Sequence, residues 1–381
     1  MSAIKVRRQK FNDVSNHLNQ TVLEMHSEIR SVMALLISGQ HGFFLGLPGV
    51  GKSFLIGQLS KLIECNYYRK LITATTTPSE IFGPFSLKEL KNDRYHFNTA
   101  GHLPTAHIAF LDEMFKGNSQ TLNGNLTAME ERLFDNGAVT EKIPLISLFA
   151  ASNELPGDES LEALWDRFTV RMEVRPLDSE ESFIRMLRAE KITPPDSLTI
   201  DDIEAACQEA SEVEVTDKFV KSVYDLRRNI EATLGGDLYV SDRRWKHIVE
   251  FMKALAWMDD EPLTEDYFIE ITNCLWSTPQ QIPQINSVLT QYVDPSIGRA
   301  EALYGEVVAI FEGLQKELIN KSATIDDVSS GYAALRDKKD QLEVLMNRSS
   351  KVEKILPALV ADFDLKFNTI RTTYMKLQNI L

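Results

Sequence analysis

Apolar residues in the first half of the chain follow two different spacings. Short runs of consecutive apolar residues are typical of strands that are buried on both faces of a parallel sheet. Helical spacing predicts a helix before the first strand, from Val14 to Ser38, and further helices at 54–63 and 119–131. This alternation predicts an α/β domain with a parallel sheet. Its predicted strands are 43–45, 69–75, 107–111, 145–151 and 169–174.

The pattern from Ser179 to Ser277 is helical throughout. Gly235, Gly236 and Pro262 interrupt it, as residues that end helices do. We therefore expect a second domain that contains helices and no sheet. Its predicted helices are 182–190, 200–211, 216–234, 241–258 and 264–276.

The chain from Pro295 onward has narrower apolar stripes, whose residues are three, four or seven positions apart. Such seams predict a C-terminal helical bundle or a coiled hairpin, which either packs on itself or docks a partner. We expect domain boundaries at 1–176, 177–280 and 281–381. The stripes contain Leu303, Val307, Phe311, Leu314, Leu318, Val328, Leu335, Leu342, Leu345, Val352, Leu359, Phe363, Phe367, Ile370, Tyr374, Leu377 and Leu381.

The first predicted strand ends in a glycine-rich turn, which matches G-x-x-x-x-G-K-[ST] in full. Glycines let backbone N–H groups turn toward an anion, and the helix that begins near Lys52 adds its positive end. We expect Lys52 to reach the terminal phosphates of a nucleotide and the Ser53 hydroxyl to bind Mg²⁺. The residues predicted to hold the nucleotide are Gly46, Pro48, Gly49, Val50, Gly51, Lys52 and Ser53.

A second motif follows the strand at 107–111, where Asp112 and Glu113 form an acidic pair. In this Walker B pattern the first carboxylate helps to hold Mg²⁺, and the second orients and polarises the attacking water. Asn153 follows the strand at 145–151, at the sheet edge where open α/β sheets bind their ligands. Together with Lys52, these residues predict attack by water on a terminal phosphate.

Two segments are predicted to project from this domain. The stretch from Pro84 to Gly101 is predicted to be a long inserted loop, and such loops are usually functional or mobile. Asn136 and Gly137 predict a β-hairpin between the Walker B strand and the next strand.

Arg167 and Arg171 are candidates for contact with a nucleotide. The five donors of a guanidinium suit a γ-phosphate that is bound to a neighbouring subunit. A single arginine after a helix is more commonly part of a surface ion pair, so the residues alone leave both interpretations open.

Composition narrows the class of protein. The 381 residues carry a formal net charge of −14, which argues against a general nucleic-acid-coating role but leaves a local basic groove possible. No apolar run is long enough to cross a bilayer or to act as a signal segment, so we expect a cytoplasmic protein. Cys65, Cys207 and Cys274 fit no metal-binding spacing and are expected to be buried, reduced thiols.

In the order of these motifs the chain resembles the AAA+ ATPases, and more closely the MoxR family, with the RavA branch nearest. The resemblance runs from Val14 to Trp276. It implies a P-loop α/β core, an all-α lid domain, and ATP with Mg²⁺ as the bound cofactors. The most specific stretches are 78–84, 110–113, 128–137, 150–156, 162–168 and 239–245.

The resemblance also implies roles for single residues. Asn153 matches the sensor 1 residue, which would hold the attacking water together with Glu113. Arg167 matches the arginine finger, which acts on ATP in the adjacent subunit. Arg243 matches the sensor 2 arginine, which would reach from the lid to the phosphates, and Arg244 is the alternative for that role.

Proteins of this kind form hexameric rings and usually remodel a client protein through a partner with a von Willebrand factor A domain. The RavA branch carries a small β-rich domain in its C-terminal helices, and no such insertion is evident between Pro295 and Leu381. Two alternatives differ in class. One is a nucleic-acid-linked motor or GTP-dependent restriction-type NTPase, which would need a basic pore or a reader domain. The other is a nucleotide-regulated scaffold that binds through its C-terminal helices.

Overall fold

The computed structural model describes residues 3–188, 192–235, 238–319, 324–348 and 357–377. The chain forms two compact units, Met1–Ile282 and Pro283–Leu381. The predicted boundary between core and lid falls inside the first unit and stays a prediction. Within the described ranges, no helix has both the length and the apolar character that a bilayer crossing requires.

The first unit is built on a five-stranded parallel sheet, as the apolar runs predict. The described strands are β1 His41–Leu45, β2 Ile63–Glu64, β3 Tyr67–Leu71, β4 Ile108–Asp112, β5 Leu133–Asn136, β6 Val139–Lys142, β7 Ser147–Ser152, β8 Phe168–Glu173 and β9 Leu198–Thr199. The sheet has the order β3-β4-β7-β1-β8, and β2 pairs separately with β9. The predicted hairpin is the antiparallel pair β5–β6. The strand predicted at 69–75 is shorter and begins earlier.

Helices account for most of the remaining regular structure in the described chain. The α-helices are α1 Ala3–Thr21, α2 His26–Ser38, α3 Lys52–Leu59, α4 Pro78–Phe82, α5 Leu87–Leu90, α6 Ser119–Asn123, α7 Leu126–Glu130, α8 Glu162–Trp165, α9 Glu180–Arg188, α10 Ile200–Ser211, α11 Asp217–Leu234, α12 Asp242–Asp259, α13 Thr272–Leu275, α14 Ile282–Val293, α15 Pro295–Ile319, α16 Ile325–Arg348 and α17 Pro357–Leu377. Short 3-10 helices cover Leu103–Thr105, Met114–Lys116, Glu159–Leu161, Glu265–Ile271 and Pro279–Gln281.

Three helix predictions need correction. The single helix predicted from Val14 to Ser38 is two helices, α1 and α2, because the chain turns between them and Glu24 has a φ of 56°, in the left-handed region. The helix predicted at 119–131 is likewise divided into α6 and α7. The one predicted at 264–276 is a 3-10 helix followed by one turn of α-helix, and α14 was not predicted.

The core of the first unit lies on both faces of the sheet. Phe43, Phe110 and Phe149 are fully buried in three neighbouring strands. Phe43 also makes an edge contact with Trp165, with ring centroids 4.9 Å apart. α2 is buried at Ile29 and from Ser31 to Ile37, with one face toward β1 and β8 and another toward α10 and α12. One apolar helix therefore joins the sheet to the helices that follow it.

The three cysteines are free thiols, but only Cys274 is fully buried. Cys65 and Cys207 are partly exposed, so the prediction that all three are buried is correct for one of them. Burial raises the pKa of Cys65 and of Cys207 to about 11 and that of Cys274 to about 12. All three therefore stay protonated near neutral pH.

The second unit contains a three-helix bundle, in which α15, α16 and α17 each contact the other two. Seven of the predicted stripe residues lie in its core, and two more, Phe311 and Leu345, pack against that core while only partly buried. Val352 and Leu381 lie outside the described residues. The buried core residues are Ala300, Val307, Leu314, Leu335, Leu342, Phe363, Phe367 and Ile370.

Arg171 does not contact a nucleotide site but is a fully buried part of β8. Its guanidinium donates to the carbonyl oxygens of Trp276, at 2.6 Å, and Trp165, at 2.9 Å. It also lies 4.0 Å from the centre of the Trp165 ring. The structure thus excludes Arg171 as an arginine finger and makes it a link between the sheet and the residues after α13.

We predict that Arg171→Met lowers the free energy of unfolding by about 2–4 kcal/mol, because buried carbonyl groups lose charged hydrogen-bond donors. Urea unfolding followed by tryptophan fluorescence tests this, since Trp165 and Trp276 both touch Arg171. The control is Arg175→Met, whose side chain is 79% exposed and whose pairing with Glu173 is a surface ion pair. Equal urea midpoints for the two variants would contradict the structural role of Arg171.

Candidate functional site

The glycine-rich turn between β1 and α3 forms a loop whose backbone lies open to a ligand. Gly49 and Gly51 have φ values of 83° and 94°, which side chains rarely tolerate. A Cβ atom on Gly46 would lie 2.3 Å from the carbonyl oxygen of Val174. Glycine is therefore required at these positions for the loop to pass close to β8 and turn into α3.

Lys52 begins α3, and only 5% of the residue is exposed. Its ammonium group donates to the carbonyl oxygens of Gly46 and, at 3.1 Å, of Leu47. Burial lowers the pKa of Lys52, and the nearby carboxylates of Glu113 and Asp112 oppose this shift. The cation is thus held inside the curve of the loop, next to the acidic pair.

Asp112, the last residue of β4, lies directly across from Ser53. The Ser53 hydroxyl donates to Asp112 Oδ2 over 2.7 Å, so the two residues predicted to bind Mg²⁺ lie together. The guanidinium of Arg69, on the adjacent strand β3, donates to the same oxygen over 3.2 Å. This arginine was not singled out in the sequence, because it reaches Asp112 only through the parallel pairing of β3 with β4.

Glu113 follows Asp112 and has a φ of 54°, a conformation that costs energy for a residue with a side chain. Lys116 Nζ lies 3.2 Å from Glu113 Oε2. Asn153 is exposed and comes directly after β7, whose last residue, Ser152, pairs with Leu45 at the end of β1. The sheet therefore brings the second acid and the predicted sensor 1 residue to the edge where the glycine-rich loop begins.

A cavity of about 730 Å³ adjoins this loop. Its walls come from four parts of the first unit: the turn between α1 and α2, the loop, α3, and the segment that leads into α9. The size is sufficient for a nucleoside. The residues that line it include Val22, Leu23, Met25, Leu47, Pro48, Gly49, Val50, Gly51, Phe54, Pro176, Leu177, Phe183, Arg185 and Met186.

Glu24 fixes the segment on the far side of this cavity. Its carboxylate accepts hydrogen bonds from the backbone N–H of Asp178, at 2.7 Å, and from the N–H and hydroxyl of Ser179, at 3.1 and 2.6 Å. The Ser179 hydroxyl is the largest of the causes that lower the pKa of Glu24 to about 2. Arg185, in α9, donates to the carbonyl oxygen of Gln20 at 3.2 Å.

The predicted arginines Arg167 and Arg243 lie close together, although 75 residues lie between them in the sequence. Arg243 donates to Asp166 Oδ2 at 2.7 Å. Its Nε lies 3.6 Å from Glu130 Oε2, and the Nε of Arg167 lies 3.7 Å from the same oxygen. Burial and the charge of Arg243 lower the pKa of Arg167. The cavity beside the loop is lined by Arg185 rather than by Arg243.

Arg244 is fully buried, which argues against it as the alternative sensor 2 residue. It donates to the carbonyl oxygen of Cys274 through Nε, at 2.9 Å, and to that of Trp276 at 3.3 Å. Adjacent residues on a helix point about 100° apart, so Arg244 faces the core while Arg243 reaches Asp166. The geometry therefore favours Arg243 for contact with a ligand.

Two family models match consecutive parts of the chain. One, described as the MoxR domain in MoxR-vWA-beta-propeller ternary systems, matches residues 9–204, and one described as an AAA lid domain matches residues 218–289. The first covers just over half of the 381 residues. The chain belongs to the MoxR family of AAA+ ATPases. The resemblance inferred from its motifs is confirmed at this level.

Similar proteins are known from archaea and from a virus. Two uncharacterised proteins of Methanocaldococcus jannaschii resemble this MoxR protein: one is 37% identical over 301 residues, covering 77% of this chain and 78% of its own, and one is 38% identical over 277 residues, covering 72% and 73%. A structural protein of Acidianus two-tailed virus is 30% identical over 168 residues, which are 42% of this chain and 27% of its own.

A solved structure supports the AAA+ fold. A protein from Cytophaga hutchinsonii that is proposed to be an ATPase superposes with a TM-score of 0.61. The match covers 75% of this MoxR protein and 95% of the other chain, at 18% sequence identity. The α/β core with its helical lid is thus the expected architecture of the family.

The residues of this MoxR site fit ATP with Mg²⁺, the ligands that AAA+ ATPases generally use. The loop is a backbone-lined cradle in which a Cβ on Gly46 would collide with Val174. Ser53 and Asp112 offer a hydroxyl and a carboxylate oxygen, the kind of ligand that Mg²⁺ binds. Lys52 supplies a buried positive charge beside them.

We predict that Lys52→Ala weakens ATP binding by about 10–100-fold, since a charge-assisted hydrogen bond contributes about 1.5–3 kcal/mol. The dissociation constant of a fluorescent ATP analogue measures this. Lys61→Ala, at an exposed position just after α3, is the matched control and should bind within about twofold of wild type. Unchanged affinity in Lys52→Ala would contradict the phosphate-binding role of the loop.

Proposed function

We propose that this MoxR protein hydrolyses ATP with Mg²⁺ in a ring oligomer, and that it uses hydrolysis to remodel or activate a client protein. The observation that carries the proposal is the contact of Ser53 with Asp112, at 2.7 Å, beside the buried cation of Lys52 and next to Glu113. The cavity of about 730 Å³ beside the loop provides room for the nucleoside.

The residues then have distinct tasks. The backbone from Gly46 to Gly51 and the ammonium of Lys52 bind the phosphates, and Ser53 and Asp112 would hold Mg²⁺. When bound, Mg²⁺ neutralises charge on the phosphate oxygens and fixes their orientation. Glu113 accepts a proton from the attacking water, and Asn153 holds that water by a hydrogen bond. Since the acid and the amide lie at the ends of neighbouring strands, both can reach one water molecule.

Arg167 and Arg243 supply positive charge as the phosphate bond breaks. In this proposal both arginines act on the nucleotide of an adjacent subunit. For Arg243 this differs from the role implied by the resemblance, in which the sensor 2 arginine contacts the phosphates of its own subunit. The support is that Arg243 lies against Asp166 and Glu130 with Arg167, while Arg185 lines the cavity beside the loop. A heterologous interface that closes by rotation gives a ring, and we propose a hexamer because the family resemblance implies that size.

The proposed partner is a protein with a von Willebrand factor A domain. It is supported by the description of the matching family model, which pairs the MoxR domain with vWA and β-propeller components. We propose that the protein is nearest the RavA branch on its motifs, although the described residues after Pro295 contain no strand that would belong to the β-rich insertion of that branch. The bundle formed by α15, α16 and α17 is a further candidate for partner contact.

We predict that Glu113→Gln binds ATP within about twofold of wild type but hydrolyses it about 10²–10⁴-fold more slowly, because an amide cannot accept the proton of the water. Steady-state phosphate release and nucleotide affinity are measured on the same preparation. Glu162→Gln, at an exposed position in α8, is the control and should keep the wild-type rate. Wild-type turnover by Glu113→Gln would rule out the assigned role.

We predict that Arg167→Ala and Lys52→Ala subunits each lose most of their activity alone, to a low but measurable rate, and regain activity when mixed. A mixed interface pairs an intact loop with an intact arginine, so an equal mixture should reach about a quarter of the wild-type rate if subunits exchange at random. Phosphate release is measured across mixing ratios, and light scattering with ATP gives the oligomer size. No recovery at any ratio would count against action in an adjacent subunit.

A further inference from the structure

The carboxylate of Glu130, the last residue of α7, lies against three basic side chains. Its Oε2 is 3.7 Å from Arg167 Nε and 3.6 Å from Arg243 Nε, and its Oε1 is 3.9 Å from His247 Nε2. Arg167 directly precedes β8, whereas Arg243 and His247 lie near the start of α12. One carboxylate therefore links arginines that come from widely separated parts of the chain.

These two guanidinium groups would repel each other without an anion between them. The charge of Arg243 and burial lower the pKa of Arg167, whereas Glu130 acts in the opposite direction. Asp166 binds Arg243 from another side. Among the described residues, Glu130 is the carboxylate that forms an ion pair with both. Its side chain is 29% exposed and that of Arg167 15%, so water screens the contact only in part.

The backbone on both sides of Glu130 is fastened to the sheet. The Met129 carbonyl oxygen lies 2.8 Å from Nε2 of the buried His41 in β1. Arg132 has a φ of 57° and donates to the carbonyl oxygens of Gly39, at 2.5 Å, and Ile146, at 3.2 Å. A carboxylate on so fixed a backbone can hold a guanidinium in one place.

We propose that Glu130 is a positioning residue, which holds Arg167 and Arg243 together as a pair for contact with the phosphates. This inference rests on the proposed ATPase activity. The Nε atoms of both arginines are buried and have no hydrogen-bond partner in the described structure. Glu130 thus acts on both arginines by charge, over 3.6–3.7 Å, rather than through a direct hydrogen bond.

The test is Glu130→Gln, which removes the charge at nearly constant volume. We expect kcat to fall about 10–100-fold, because a misplacement of about 1 Å in a catalytic arrangement can cost about 100-fold. The dissociation constant for ATP should stay within about twofold, since Glu130 makes no contact with the glycine-rich loop in the described structure. Glu131→Gln removes the same charge from the exposed neighbouring residue and should keep kcat within about twofold of wild type.

A double-mutant cycle with Arg167→Ala separates positioning from a purely structural role. If Glu130 acts through Arg167, the loss of kcat in the double variant is smaller than the product of the two single losses. If the two losses simply multiply, or if Glu130→Gln has the kcat of wild type, the inference is wrong. The ATPase proposal would still stand in that case, provided that the wild-type protein hydrolyses ATP. A wild-type protein without ATPase activity would overturn both.

The cycle can also be run with Glu130→Asp if the glutamine variant does not fold. Aspartate keeps the charge but withdraws it by one methylene group, so kcat should again fall while affinity for ATP stays constant. An aspartate variant with the kcat of wild type would overturn the inference, because a positioning role depends on where the charge lies.

Discussion

The parallel pairing of β1 with β7 and β8 is the constraint on which the rest of the site depends. Leu45 pairs with Ser152 on one side and Glu173 on the other. The ladder continues past the strand, because the N–H of Gly46 donates to Ser152 and that of Val174 donates to Leu45. The glycine-rich loop therefore leaves the sheet at a fixed point between two neighbours. A side chain at Gly46 would push β8 away and open that point.

In β8 and in α12, one arginine is buried in the core and a nearby arginine is partly exposed. Arg171 and Arg244 are fully buried, and both donate to the carbonyl oxygen of Trp276, so they attach β8 and α12 to the same short segment. Their neighbours in sequence, Arg167 and Arg243, are partly exposed and meet at Glu130. Arg171 and Arg244 thus anchor the segments from which Arg167 and Arg243 extend toward Glu130.

Local patterns in the sequence were sufficient for the strands, most helices and the residues of the glycine-rich loop, because each depends on residues that are close in sequence. The break at Glu24 was missed because the apolar spacing of α1 and α2 continues in phase across it. Arg69 and Glu130 were missed for a different reason. Each gains its meaning from a partner that is distant in sequence, and neither lies in a spacing that marks a site. The choice between Arg243 and Arg244 as the sensor 2 candidate likewise depends on which face of α12 packs against the core.

The charges around Glu130 indicate what the cluster can accept. Three guanidiniums, those of Arg167, Arg243 and Arg244, form ion pairs with two carboxylates, those of Glu130 and Asp166. Burial lowers the pKa of His247, and the positive charge of Arg243 lowers it further. His247 is therefore neutral near pH 7 and adds no charge to the cluster. Within these ion pairs the guanidiniums outnumber the carboxylates, which is compatible with the proposed contact of this cluster with a phosphate group.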